Sequence, residues 1–272
     1  ARSIAREAEA RGVDVIIRRN GSRGMCWLEP LVEVVVNGER YAYGPVDERD
    51  VSGLFEANFL ANGAHPLQLG PTDSVPYYKS QQRLTFARVG VTQPTSLDDY
   101  LAHDGFQGLR NAMSMSAADI VQNVTDAGLR GRGGAAFPTG IKWKTVLDTP
   151  SAQKYVTCNA DEGDSGTFSD RMLMEGDPFA LIEGMTIAGI GVGATKGFIY
   201  LRVEYPHAHR ALTEAIEVAY RAGYLGGDIL GRGRRFDLEV RLGAGAYICG
   251  EETSMLESLE GRRGEVRVRP PL

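Results

Sequence analysis

From about residue 97 onward, short apolar runs of strand length alternate with helical patterns, and glycines punctuate the junctions. Helical spacing covers Leu97–His103, Phe106–Met113, Ala117–Gly128 and a stretch from Ile141. The strand-like run KYVTCNADE follows, then helix SDRMLMEG and a longer apolar helix, PFALIEGMTIAGIGVGAT, with Asp177 before it and Pro178 at its first position. Strand GFIYLRV, helix PHAHRALTEAIEVAYRAG, strand FDLEVRL and loop GAGAYICGEE complete the series. A strand followed by a helix and another strand at this spacing pairs in parallel, so the expected fold is α/β, a mostly parallel sheet flanked by helices.

Residues 1–65 read as a separate small α/β unit: a helix over Ser3–Glu9, a strand over Val13–Arg19, and a hairpin LVEVVVNGERYAYGPV turning at Asn37–Gly38. Asp47 and Ser52 offer caps for a helix that Gly63 ends. Residues 66–96, with four prolines, read as a connector carrying a lead-in strand RLTFARVGV. Residues 97–272 form the second domain. The lack of a starting Met and the abrupt end at RVRPPL suggest part of a longer chain.

Composition narrows the function. The net charge of −5 disfavours nucleic acid, which draws on a surplus of Lys and Arg. The only basic cluster is Arg262, Arg263, Arg267 and Arg269, a pattern equally typical of a solvated loop. No apolar run is long enough for a transmembrane helix and no signal peptide is visible, so a cytoplasmic location is expected. Three scattered cysteines, Cys26, Cys158 and Cys249, fall short of the four thiolates of a common iron–sulfur cluster, and no metal site is expected. Glycine is the outlier: 34 of 272 residues, about one in eight, against roughly 7% on average. Much of it is concentrated where backbone would approach a ligand.

Three segments carry candidate chemistry. GLRGRGGAAFPTG has the composition of a phosphate-cradling loop, but follows a helix, unlike the ordinary dinucleotide fingerprint that follows a strand; the alternative is a tight connector needing positive φ. CNADEGDSGTFSD leaves the carboxyl end of a strand, where open α/β sheets bind ligands. Its Asn159, Asp161, Glu162 and Asp164 could hold a metal, cap a helix or accept hydrogen bonds from sugar hydroxyls; only the last accounts for several at once. In GAGAYICGEETS, Glu251 and Glu252 open a helix, where acidic residues commonly complement the dipole, and Cys249 has the profile of a small buried hydrophobe.

Together GLRGRGGAAFPTGIKW, CNADEGDSGTFSDR and GAYICGEETSMLESLEGRRG resemble the signatures of the NADH-binding flavoprotein subunit of the complex I family, shared with NAD-reducing hydrogenases and NAD-dependent formate dehydrogenases. The wording GDSGTF and the PPL ending look most like the beta subunit of molybdenum formate dehydrogenases. The resemblance implies FMN between these loops with NAD(H) stacked on it. It assigns Gly131, Arg132, Gly133, Gly134, Ala135, Phe137 and Lys142 to the nucleotide loop, with Phe137 as an adenine platform. Asn159, Asp161, Glu162, Tyr247, Gly250, Glu251 and Glu252 fall to the flavin pocket, and Asp164 lies near the nicotinamide, one methylene shorter than the family's Glu. Thr145 and Leu272 stand where relatives often have Phe. The resemblance places the family's C-terminal domain, with the [4Fe–4S] ligands, outside these 272 residues.

The implied activity is a diaphorase: hydride exchange between NAD(H) and FMN, with single electrons passed to or from iron–sulfur clusters, a task for which a flavin is suited. No side chain is expected to act as nucleophile or general base. Implied partners are a thioredoxin-like [2Fe–2S] subunit and a large iron–sulfur/molybdenum catalytic subunit. Alternatives are the diaphorase subunit of a hydrogenase or of NADH–quinone oxidoreductase, a flavin-free assembly module, and an ordinary dinucleotide-fold dehydrogenase. The N-terminal unit resembles a thioredoxin-like ferredoxin whose cluster is lost, because Ser22 replaces a cysteine beside Cys26. Anaerobic reconstitution with iron and sulfide is therefore expected to give no [2Fe–2S] EPR signal, and a stoichiometric signal would refute the reading.

Overall fold

The computed structural model describes residues 1–268; Arg269 and Leu272, named for the basic cluster and the Phe position, lie outside the described residues. The chain forms two compact units, Ala1–Gln93 and Pro94–Leu272.

In the first unit, helix α1 (Arg2–Ala10) precedes a hairpin of β1 (Val32–Val36) and β2 (Glu39–Tyr43). Asn37 and Gly38 both have positive φ, 53° and 81°, as the two-residue turn requires. The helix expected from Asp47 to Gly63 is broken. Asp47 caps a 3-10 turn, Glu48–Asp50, which leads into α2 (Val51–Glu56); left-handed Asn58 and Asn62 then bracket a second turn, Phe59–Ala61. Asparagine tolerates that conformation, and two of them within five residues defeat helical continuity. Strand β3 (Gln68–Pro71), within the stretch read as connector, pairs antiparallel with β2 to give the order β1-β2-β3. A short α3 (Pro76–Lys79) follows. Val34, Tyr43, Val46, Val51, Leu54 and Phe59 form the core.

Two expected strands do not form. Residues 13–19 have no strand partner among the described residues, and β-propensity without pairing leaves backbone groups to solvent. In 83–91, the Arg83 guanidinium donates to the carbonyls of Arg23, Phe86 and Val89 at 3.0, 3.3 and 3.4 Å, curling the segment instead of extending it. Ser22 Oγ donates to Glu29 at 2.5 Å, and Cys26 is exposed.

The second unit opens with α4 (Leu97–Ala102), α5 (Gln107–Ala112), α6 (Ala117–Asp126) and α7 (Thr139–Asp148). Then come β4 (Tyr155–Ala160), α8 (Ser169–Gly176), α9 (Pro178–Val192), β5 (Lys196–Leu201), α10 (Pro206–Arg221), β6 (Asp237–Leu242) and α11 (Glu252–Leu259). The three strands pair in parallel in the order β4-β5-β6, as the alternation predicts. Ile199 and Leu201 belong to the core that includes α9 and α10, while Tyr200 packs with Cys249 and Met255 on the opposite face. The two-residue period of β5 thus separates the layers.

Helix α9 has ten of its fifteen residues buried, which explains a sequence that is apolar apart from Glu183 and Thr186. Its Glu183 carboxylate reaches out of that core, accepting from Tyr100 Oη at 2.6 Å, Phe106 N at 2.7 Å and Leu109 N at 2.9 Å. These bonds satisfy the first amides of α5 and hold Phe106 at φ 57°, where its ring stacks on Tyr224 at 3.8 Å.

Gly189 of α9 has no room for a side chain: a Cβ there lies 2.3 Å from Cδ2 of fully buried Phe236. Gly189→Ala gains roughly 1 kcal/mol of helix propensity but forces an overlap that a close-packed core relieves only by shifting Phe236, at about 1–3 kcal/mol. Urea unfolding should show a net loss of stability; an unchanged or raised midpoint would contradict the packing described.

Candidate functional site

The parallel strands end together at Ala160, Leu201 and Leu242, so the segments that follow them converge on one sheet edge. Hydrogen bonds join the second and third candidate segments there. Asn159 Nδ2 donates to Gly250 O at 2.8 Å, and its Oδ1 accepts from Asp161 N at 3.3 Å. Both polar ends of Asn159 are thus engaged in holding loops. A Cβ on Gly250 would lie 3.3 Å from Asp161 O, and one on Gly163 2.8 Å from the Tyr247 ring, so both glycines permit close contact between the segments. Tyr247 Oη donates to Asp164 Oδ1 at 2.6 Å; that carboxylate raises the phenol's pKa above its ordinary value, while the ring remains largely exposed.

The acidic residues of this edge divide into two sorts. Glu162 is buried, and its carboxylate accepts from Ser169 Oγ, Asp170 N, Arg171 N and Tyr205 Oη at 3.0–3.2 Å. It occupies the N-terminus of α8. Burial, and then the bond to Glu162, push the Tyr205 phenol up to about 12. Glu251 does the same for α11, accepting from Thr253 N at 2.9 Å and Ser254 N at 3.0 Å. For Glu162 and Glu251 the capping role is the one seen. Asp161 differs: its half-buried carboxylate accepts no hydrogen bond from the described residues, and burial raises its pKa, against the pull of Arg202.

Arg202 and Tyr205 were not singled out from sequence, yet they fix the loop after β4. Arg202 Nη1 donates to Glu162 O at 2.6 Å and Arg202 pairs with Glu204 at 3.2 Å. A basic residue directly after a strand, across from an acidic segment, was the available signal. Burial drives the half-buried Cys158 thiol up to about 12, so it is no ready nucleophile.

The glycine loop between α6 and α7 closes on itself. Gly131 N donates to Phe137 O at 2.9 Å, Thr139 N to Leu129 O at 2.9 Å, and Arg130 Nη1 to Ala136 O at 2.9 Å. Gly134 has φ 101°, and Cβ atoms on Gly133 and Gly134 would meet nothing within 4 Å, leaving their backbone open. Arg132, Ala135, Phe137 and Lys142 are exposed. Glu252 begins α11, and Thr145 lies on the exposed side of α7.

Residues 124–272 match the family described as the Nuo51 FMN-binding domain. The chain belongs to this family. Among relatives of the Nuo51 domain, it is 49% identical over 193 residues to the NADP-reducing hydrogenase subunit HndC of Solidesulfovibrio fructosivorans, covering 71% of this chain and 39% of that one. It is 46% identical over 195 residues to an NADH-quinone oxidoreductase subunit of Aquifex aeolicus, covering 72% and 46%. A crystal structure of NAD+-reducing [NiFe]-hydrogenase in the H2-reduced state aligns over 100% of this chain and 45% of that one, with TM-score 0.57 and 30% identity. The chain therefore spans less than half the length of these relatives.

Two outcomes test the geometry. Removing the Glu162 carboxylate leaves the α8 amides and the Tyr205 hydroxyl without their acceptor, so Glu162→Ala should cost about 2–3 kcal/mol in urea unfolding. A loss under about 0.5 kcal/mol would mean that the cap is dispensable. Asp161 carries the opposite sign. Its raised folded-state pKa favours folding only below the unfolded value of 3.8 and ceases to as pH climbs through the folded pKa. Asp161→Asn should thus raise the thermal midpoint at pH 7, with the gain vanishing as pH falls below 4. A lower midpoint at pH 7 would show that Asp161 is a stabilising group.

Proposed function

We propose that the second unit holds FMN at the carboxyl edge of its sheet and exchanges hydride with NAD(H), as the flavin-bearing part of a diaphorase. Asp161 is the observation that carries this reading: a half-buried carboxylate at the sheet edge that accepts no hydrogen bond from the described residues, with burial raising its pKa, leaves acceptors for a ligand. The donor set supports the same reading. Gly163 and Gly250 leave the loops without Cβ atoms where they meet, and a Cβ on Gly133 or Gly134 would meet nothing within 4 Å.

In this reading Asp161 accepts from ribityl hydroxyls and Asn159 fixes the loop that presents it. The flavin phosphate goes to the glycine loop, with Gly131, Gly133, Gly134, Arg132 and Lys142, because Glu162 and Glu251 already fill the N-termini of α8 and α11. Phe137 offers an exposed ring for the adenine, and Tyr247, Asp164 and Glu252 border the nicotinamide. Bound flavin supplies the change from two-electron to one-electron transfer. The protein's part is to bind, orient and keep water out, and no side chain serves as nucleophile or base.

At a finer level we infer a cytoplasmic NAD-dependent formate dehydrogenase, with an iron–sulfur/molybdenum catalytic subunit and a thioredoxin-like [2Fe–2S] subunit as partners. The GDSGTF segment supports this. The hydrogenase reading has its own support in the likeness to HndC and to the NAD+-reducing [NiFe]-hydrogenase. Metal analysis of the purified complex separates them, molybdenum favouring the first and nickel the second.

Acid extraction and chromatography of flavin released from the full-length protein should yield FMN; recovery of FAD, or of none, would sink the assignment. Asp161→Asn should weaken FMN roughly tenfold to a hundredfold, the worth of about 1.5–3 kcal/mol for a hydrogen bond to a charged group. Since Asp164 and Glu252 make the pocket acidic, NADH should exceed NADPH in kcat/KM with an artificial acceptor. Equal values would mean that the pocket's acidity does not act on the 2′-phosphate.

A further inference from the structure

At the other end of the sheet, the segments entering β5 and β6 border a cavity of about 330 Å³ with the C-terminal turn of α9. Its floor is Gly189, Ile190, Gly193, Ala194 and Thr195, and its wall is the loop Arg232–Arg235. Arg232, Arg234 and Arg235 are among its lining residues, and no Asp or Glu is. We propose that this cavity is a binding site for a phosphate-bearing anion of small-molecule size.

The loop is built and held. Gly233 N donates to Asp228 Oδ1 at 2.6 Å, Ile229 N donates to Arg234 O at 2.7 Å, and Gly231 and Gly233 take φ of 67° and 68°. One nitrogen of Arg234 is anchored on Met115 O at 2.9 Å, which fixes the plane of its guanidinium. Arg235 is neutralised by Asp237 at 2.7 Å. Arg232 has no hydrogen-bond or ion-pair partner among the described residues. One guanidinium is therefore fixed with donors to spare and a second is uncommitted, and both residues border an open cavity with no Asp or Glu among its lining residues.

Planar guanidiniums in such a place match phosphate oxygens, which accept several charge-assisted bonds at once. The volume falls at the lower end for small-molecule pockets, enough for a diphosphate or a nucleotide's phosphates rather than a large ligand. The competing use of these arginines is to solvate the open carbonyls at the end of α9, since cations favour a helix C-terminus. That use does not require a loop bonded into shape. The site lies about 20 Å from the carboxyl edge, six residues of strand away, so its test stands whatever the flavin assignment.

The test is isothermal titration of the full chain at 150 mM salt with pyrophosphate and, separately, ADP. Wild type is compared with Arg232→Glu and Arg232→Lys. Arg232 is exposed, so the fold should survive both changes. We expect saturable binding that Arg232→Glu weakens at least tenfold and Arg232→Lys less. The wild-type-to-Glu difference isolates this pocket from any nucleotide bound elsewhere. Equal affinities identify a free polyphosphate as the ligand; tighter ADP identifies a nucleotide. Absence of binding sensitive to Arg232→Glu overturns the proposal. So does a lowered thermal midpoint in Arg232→Ala without anion binding by wild type, which would leave these arginines as helix-end caps only.

Discussion

The loop after β4 depends on one buried carboxylate. Glu162 sits within two residues of the strand's end, yet its oxygens reach forward to the first turn of α8 and across to Tyr205, beyond β5. A carboxylate can be buried here only because four donors surround it, and each donor would be left short without it. The chain therefore leaves β4, turns and re-enters a helix within ten residues with little freedom. Arg202, bonded to the Glu162 carbonyl, ties the same turn to the central strand.

That arrangement decides what the neighbouring residues can do. With Glu162 turned inward, Asp161 is turned the other way, half-desolvated and unsatisfied. Glu251 repeats the pattern at α11. Two helix N-termini at the carboxyl edge, each suited by its dipole to an anion, are thus closed by the protein's own carboxylates. The edge suits hydroxyl-rich and cationic groups better than phosphate.

Much of this architecture was legible in the residues. The alternation from Leu97 onward predicts the parallel sheet because each strand's apolar run and each helix's spacing agree with their surroundings. Asn37–Gly38 likewise fixes a hairpin locally. What failed were segments whose state is decided at a distance. Residues 13–19 look like a strand, but a strand exists only with a partner. Residues 83–91 look like one too, but Arg83 satisfies their carbonyls from its side chain. At the site, the run Asn159, Asp161, Glu162 and Asp164 lies at the carboxyl edge of the sheet, as its place after an apolar strand implies. Its clustering could not separate caps from free acceptors, because that depends on Ser169 and Tyr205, seven and forty-three residues from Glu162.

The net charge of −5 conceals an electrical asymmetry along the strands. The carboxyl edge gathers Asp161, Glu162, Asp164, Glu251 and Glu252, whereas Arg232, Arg234 and Arg235 stand at the amino edge with Lys154, which donates to Leu147 O at 2.9 Å. Parallel strands carry no large dipole of their own, so side chains and helix ends set this polarity. In α9 it is reinforced, since its negative end meets the arginines. Over about 20 Å and at physiological salt the two fields are screened from each other, so each edge can be tuned by substitution without disturbing the other.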